Sequence, residues 1–155
     1  MIKSEIIGVD EVIRGLENVS KEVQEGVNVQ MKTSAARVLA DSKRTLSKEG
    51  KHVTGKAINS GKILVKPKEV RVEYDAGYAK YIEFGRRAGK RPPLQPLEDW
   101  VKKKGIESDP KKIKGVAFVV ARKIGNVGIK KSPFLRPAFE RERIKFKNNL
   151  KNLIK

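Results

Sequence analysis

The sequence predicts an α+β protein, in which a small, mainly antiparallel sheet packs with a long N-terminal helical region and a C-terminal helix. Three observations predict this class. The strand patterns are few, and the two clearest ones, residues 62–65 and 70–74, are adjacent in the chain. Helical spacing of apolar residues occupies most of the remainder. The chain has 155 residues and no internal repeat, which fits a single domain spanning 1–155.

The N-terminal third predicts a strand or extended arm followed by two helices. Residues 2–9 mix isoleucine and valine with charged residues and form the arm. Asp10 is a good N-cap for a short helix, and Ser20 can cap a second, longer one. Gly26 and Asn28 weaken the longer helix, so a local break is an open alternative there. The buried stripe of this helix is predicted at Val23, Val27, Met31, Ala35, Val38 and Leu46.

The middle of the chain predicts a loop and a hairpin. Residues 47–61 lack a periodic pattern and read as a loop. The two strands follow, joined by a turn at residues 66–69. In the second strand, Val70, Val72 and Tyr74 alternate with Arg71, Glu73 and Asp75, which predicts one buried face and one exposed, charged face.

The second half predicts short helices separated by loops. Residues 78–84 have the spacing of one or two helical turns, with a strand as the alternative. Residues 85–93 carry glycine, proline and basic residues and predict an exposed, flexible loop. Helices are expected at 96–104 and 110–124, ended by Gly105 and by residues 125–128. Pro133 or Pro137 opens a last helix that runs towards Lys155.

The composition excludes several functional classes. There are no cysteines, which excludes disulfides, cysteine-ligated zinc and thiol catalysis, and the single His52 excludes a histidine metal cluster. The carboxylates Glu73, Asp75 and Glu83 have no histidine or nucleophile close in sequence. We therefore expect no enzyme and no cofactor. No apolar run approaches the roughly 20 residues of a membrane span, and the N-terminus lacks a secretion signal, so synthesis and assembly in a cytoplasm are expected.

The charge is strongly asymmetric along the chain. Residues 1–85 hold 15 basic and 12 acidic side chains, whereas residues 86–155 hold 21 basic and 6 acidic ones. Such asymmetry predicts an acidic partner, either nucleic acid, an anionic protein surface or a membrane face, with a solvated lysine-rich surface as the alternative. No nucleic-acid-binding motif is present, so only non-specific phosphate contact is indicated. The candidates for it are Arg86, Arg87, Lys90, Arg91, Lys102, Lys103, Lys104, Lys111, Lys112 and Lys114.

Two short blocks resemble a family of tailed-phage proteins. The first is Tyr78-Ala79-Lys80-Tyr81-Ile82-Glu83-Phe84-Gly85, and the second is Ser132-Pro133-Phe134-Leu135-Arg136-Pro137-Ala138. They resemble a "YAxYxEFGT" block and a "PFLRPA" block of the head–tail joining, or tail-completion, proteins related to minor tail protein Z of phage lambda. The segment from Pro92 to Gly105 also resembles the family. The chain departs from the family at two places. Arg86 stands where the family usually has threonine, and Lys56-Ala57 stands where a leucine usually follows the pair that Thr54-Gly55 matches.

The resemblance implies a structural virion protein without catalytic turnover. Such subunits form a ring, usually six-fold, in the neck between tail and head connector, which completes the tail for head joining. The implied partners are copies of the same chain and neighbouring connector and tail proteins. Non-specific contact with passing DNA is an open alternative for the basic loop, and no membrane partner is expected. A small basic, non-specific nucleic-acid-binding protein is the alternative. Candidate interface residues are Glu83, Arg86, Arg87, Lys90, Arg91 and Arg136. Candidate packing residues of the blocks are Tyr78, Tyr81, Phe84, Gly85, Pro133, Phe134, Leu135 and Pro137.

Overall fold

The computed structural model describes residues 2–4, 21–48, 55–67 and 69–153. Its elements, in chain order, are β1 (Ile2–Ser4), α1 (Lys21–Lys48), α2 (Lys56–Asn59), β2 (Gly61–Lys66), β3 (Glu69–Tyr74), α3 (Ala79–Phe84), α4 (Gln95–Lys104), α5 (Pro110–Val127) and α6 (Leu135–Leu153). The fold is α+β, as the sequence predicts. The expected first helix at 11–19 lies outside the described residues, as does the part of the arm beyond Ser4.

The sheet has three antiparallel strands in the order β1-β3-β2. The hairpin is in register from Gly61 opposite Tyr74 to Lys66 opposite Glu69. Gly61 is needed at its position, because a Cβ there would lie 2.8 Å from the Tyr74 ring and 2.9 Å from Leu39. The inward face predicted for β3 is confirmed, since Val70, Val72 and Tyr74 are all buried.

Helices α1 and α6 run antiparallel and pack against each other beside the sheet. Their contacts progress from Asp41 with Arg141, through Gln30 with Asn149, to Gly26 facing Leu153. The main core lies between these helices and the sheet. The predicted stripe of α1 is largely confirmed: Val27, Met31, Ala35, Val38 and Leu46 are buried, and Val23 packs partly buried against them.

Helices α4 and α5 form a hairpin with a small core of its own, which we call the α4–α5 hairpin (residues 95–127). Val101 of α4 and Ile113, Ala117 and Ala121 of α5 are buried there, outside the main core cluster. Gly105 ends α4 with a φ of 64°, a left-handed conformation that favours glycine. Among the described residues, no helix is long and apolar enough to cross a membrane.

The structure decides one open alternative about the helices and corrects two expectations. Helix α1 continues through Gly26 without a break, where the missing side chain makes room for Leu153. The expected loop at 47–61 contains the short helix α2, because residues 56–59 can close one turn of backbone hydrogen bonds, including Asn59 N–H to the Gly55 carbonyl at 2.9 Å. Helix α5 extends beyond Ile124 to Val127, since Gly125 is a buried helical residue.

The expected charged outer face of β3 is also corrected. Glu73 is only 3% exposed, because β3 is the central strand and its backbone has a paired strand on each side. Lys62 lies opposite Glu73 in register and pairs with exposed Asp75, with Nζ and Oδ2 2.6 Å apart.

Candidate functional site

A buried carboxylate joins helix α3 to the start of helix α6. Glu83 is 3% exposed and accepts backbone N–H hydrogen bonds from Phe134 (2.8 Å) and Leu135 (2.9 Å) at Oε2, and from Arg136 (2.9 Å) at Oε1. The first N–H groups of a helix have no partner inside the helix, and its N-terminus carries a partial positive charge. Glu83 therefore caps α6 from another element, and it brings the two family-like blocks into direct contact.

An aromatic pair lies beneath this junction. The rings of Tyr74 and Phe134 meet edge to face, with centroids 5.0 Å apart and planes at 83°. The hydroxyl of Tyr74 is hydrogen-bonded to Ser42 of α1 at 2.7 Å. Burial raises the pKa of Tyr74 above its ordinary value of 10.0, and the hydrogen bond with Ser42 partly offsets that rise. Sheet, α1 and the start of α6 are thus joined by one buried contact chain.

The basic loop at residues 86–91 is held by its backbone at the start. Arg86 and Ile129 exchange two backbone hydrogen bonds of 2.8 Å each, as an isolated antiparallel bridge. Gly85 and Gly128 permit this approach. Both have a positive φ, and an added Cβ would lie 2.7 Å from the Ile129 oxygen at Gly85 and 2.1 Å from the Arg86 oxygen at Gly128. The expectation of a flexible loop is therefore wrong for its first residues.

Three cations near this loop lie over aromatic rings. The Tyr81 ring has Lys80 Nζ 5.0 Å from its centroid and the Arg86 guanidinium 5.7 Å from it. Arg91 lies over Phe118 of α5 at 5.3 Å. Arg86 also donates to the backbone oxygen of Lys90. Such cation–π contacts hold flexible side chains in place without neutralising their charge.

The predicted interface residues separate into interior and surface positions. The expectation that Glu83 contacts a neighbouring subunit is corrected. Its carboxylate is buried and accepts hydrogen bonds from three N–H groups of its own chain, so the contact it makes is intramolecular. Arg87 and Lys90 are exposed. Arg136 is exposed as well and forms an ion pair with Glu140 at 2.8 Å, which raises the pKa of Arg136.

The predicted packing residues also divide. Phe134 and Leu135 are 0% and 1% exposed, and Tyr81, Gly85 and Pro137 are half-buried. Phe84 is 68% exposed, against the packing interpretation. The reason is helical geometry, since Ala79 and Glu83 lie four residues apart on the inward face of α3 and the next position turns away from it. Tyr78 and Pro133 are exposed too.

A polar contact between α1 and α6 was not predicted. Glu142 is 6% exposed and accepts hydrogen bonds from Ser34 (3.0 Å) and Arg37 (3.4 Å). Two signals for it are present in the sequence. Glu142 follows Ala138 by four residues on the apolar face of α6, and Ser34 sits within the buried stripe of α1.

One family model matches the chain. Residues 10–85 match the family described as "Bacteriophage HK97-gp10, putative tail-component". The matched range is 76 of 155 residues and includes the first block but not the second. No curated protein and no solved structure matches the chain significantly. Over residues 10–85, which are just under half of its length, the chain is therefore similar to a family of phage tail components.

Proposed function

We propose that this protein is a structural subunit of a phage tail that forms a ring at the head–tail junction and completes the tail for head joining. Its role would then resemble that of the tail-completion proteins whose sequence blocks it shares, among them the relatives of minor tail protein Z of phage lambda. The observation that carries the proposal is the contact between the two family-like blocks. The first block lies inside the matched range, and its Glu83 caps the helix that the second block opens.

The surfaces of the blocks fit an assembling subunit. Phe84 is 68% exposed and Tyr78 is 37% exposed, and both are aromatic residues of a kind enriched at protein interfaces. Exposed Arg87 lies in the loop that follows them. A cyclic ring needs two different surface patches that meet head to tail. We assign one of these patches to the exposed side of α3 and the basic loop, and the activity of the protein is binding without turnover.

The copy number of the chain in purified particles tests the proposal. Quantitative mass spectrometry should find about six copies per particle, as a closed six-fold ring requires. Many copies per particle would instead identify a repeating tail-tube subunit. Absence from particles, with the protein recovered on cellular nucleic acid, would overturn the structural role.

The interface assignment has its own matched test. Phe84→Ser should leave the isolated chain folded but reduce its incorporation into particles. The reason is that the Phe84 side chain would be exposed in the isolated chain and buried against the neighbouring subunit after assembly. Ile144→Ser is the control, since Ile144 is 66% exposed, close to the 68% of Phe84, and belongs to neither block. Equal incorporation of both variants would remove Phe84 from the interface.

A further inference from the structure

The tip of the α4–α5 hairpin carries an unusual concentration of lysine. We define the hairpin tip as residues 102–114, which run from the last turn of α4 to the first turns of α5. It holds six basic and two acidic side chains. All six basic residues are lysines and all are exposed: Lys102, Lys103, Lys104, Lys111, Lys112 and Lys114.

The two carboxylates of the tip are engaged by backbone groups. Glu107 accepts from the N–H groups of Ser108 (2.9 Å) and Asp109 (3.1 Å). Asp109 is the N-cap of α5 and accepts from the N–H of Lys111 at 2.9 Å. These carboxylates shape the turn, and neither forms an ion pair with a lysine side chain of the tip in the described part of the chain.

Elsewhere in the described protein, some of the cations form ion pairs. Ion pairs there are formed within the sheet and between or along α1 and α6: Lys62–Asp75, Arg71–Glu69, Arg37–Glu142, Arg44–Asp41, Arg141–Asp41 and Arg136–Glu140. The body therefore compensates part of its positive charge internally, whereas the tip projects its charge into solvent. A cluster in which six lysines outnumber two carboxylates raises the local positive potential.

The position of the lysines on α5 is electrostatically unfavourable for the helix itself. Lys111 and Lys112 follow Pro110 in the first turn, which contains no acidic residue. Cations at a helix N-terminus oppose the helix dipole. The helix dipole therefore gives these two lysines no stabilising role in α5.

We propose that the hairpin tip binds the phosphate backbone of duplex DNA without sequence preference. Six exposed lysines at two adjoining helix ends suit a partner of uniform negative charge. Protein interfaces, in contrast, are depleted in lysine and enriched in arginine. Under the proposed function this DNA is the genome that passes the junction. Its identity as the genome rests on the ring proposal, whereas the binding itself does not.

Binding of the full chain to a labelled duplex of mixed sequence tests the proposal, by fluorescence anisotropy over a series of salt concentrations. Each phosphate contact contributes about 0.9 to the slope of log affinity against log salt. The triple variant Lys111→Gln, Lys112→Gln, Lys114→Gln should reduce that slope by about 2–3 and weaken binding on the order of 100-fold at about 0.1 M salt. Its melting temperature should equal or exceed that of the parent, because the helix dipole is relieved.

Two further variants make the test specific. The triple variant Lys102→Gln, Lys103→Gln, Lys104→Gln on the α4 side should show the same loss and decides the matter should the first variant fold poorly. The matched control is Lys145→Gln, Lys147→Gln, Lys151→Gln on α6, which removes the same charge from exposed positions and should change the slope by less than about 1.

Three outcomes would overturn the proposal. In the first, the parent chain does not bind the duplex. In the second, the control variant weakens binding as much as the tip variants do, which would mean that net charge alone determines the affinity. In the third, poly-glutamate of matched charge displaces the chain as well as unlabelled DNA does, which would assign the tip to an acidic protein surface. This assay measures DNA binding by the isolated chain and does not depend on particle copy number. Failure of the DNA-binding proposal can therefore be distinguished from failure of the ring proposal.

Discussion

Replacing Glu83 by alanine should destabilise the protein more than any surface charge change. The carboxylate accepts three N–H hydrogen bonds of 2.8–2.9 Å, and two of the donors belong to Phe134 and Leu135, which are 0% and 1% exposed. A buried donor left without a partner costs about 1–3 kcal/mol. Losing a charge at the helix N-terminus adds about 0.3–2 kcal/mol. We expect Glu83→Ala to lose about 3–5 kcal/mol of unfolding free energy.

Urea unfolding followed by circular dichroism measures this loss. For a domain of this size, the melting temperature should fall by roughly 10 °C. Glu83→Gln keeps an acceptor oxygen but loses the charge and directs an NH₂ group towards N–H donors, so roughly half of the loss is expected. The control is Glu140→Ala, which breaks an ion pair with Arg136 whose side chains are 57% and 76% exposed and should cost under about 1 kcal/mol.

The result that would refute the reasoning is a loss for Glu83→Ala within about 1 kcal/mol of the loss for Glu140→Ala. It would mean that water replaces the carboxylate at the N-terminus of α6 with little cost, and that the two blocks are held together by apolar packing alone.

Three further predictions concern single positions. Tyr74→Phe should cost about 1 kcal/mol at neutral pH through the lost hydrogen bond. The difference in unfolding free energy from the parent should shrink above about pH 10. Folding raises the pKa of the Tyr74 hydroxyl, so its contribution to stability is complete below the pKa of the unfolded chain and is lost as pH rises through the pKa of the folded chain. Urea unfolding at a series of pH values checks this. Gly128→Ala, at φ 80°, should lose at least about 2 kcal/mol, whereas Gly115→Ala, with no atom within 4 Å of its added Cβ, should gain about 0.5–1 kcal/mol; equal melting temperatures would contradict this. Phe134→Ala should cost about 3–5 kcal/mol and Phe84→Ala under about 0.5 kcal/mol by the same unfolding measurement, an order that exposure of 0% against 68% dictates.

Local patterns predicted the elements because each pattern is a direct consequence of backbone geometry. The alternation at Val70, Val72 and Tyr74 identified the inward face of β3, and the 3.6-residue spacing identified the stripe of α1. Gly105 ended α4 as expected. These features depend on residues close in sequence, so the sequence is sufficient for them.

The candidate site was only partly predictable, because its central contacts join residues far apart in the chain. In the sequence, Glu83 resembles an exposed carboxylate on a short helix. Its burial follows only from the position of α6, because the N–H groups at the start of that helix, beginning with Phe134 51 residues later, donate to the carboxylate. Gly128 is a plain helix terminator in sequence, and only the backbone of the facing loop at Arg86 shows why no side chain fits there. Burial of Glu73 likewise depends on the strands that flank it.

The interior position of Glu83 changes where assembly contacts should be sought. A carboxylate that already accepts three N–H hydrogen bonds has little acceptor capacity left for a neighbouring subunit. Some residues of the blocks therefore hold the fold together, and others can contact a partner. The same helix, α3, buries Ala79 and Glu83 and exposes Phe84, so one short segment both holds α6 and presents an aromatic side chain to solvent. A substitution at Glu83 should therefore reduce assembly only as far as it destabilises the fold, whereas one at Phe84 should reduce assembly while the fold persists. Measuring unfolding and particle incorporation on the same two variants separates these effects.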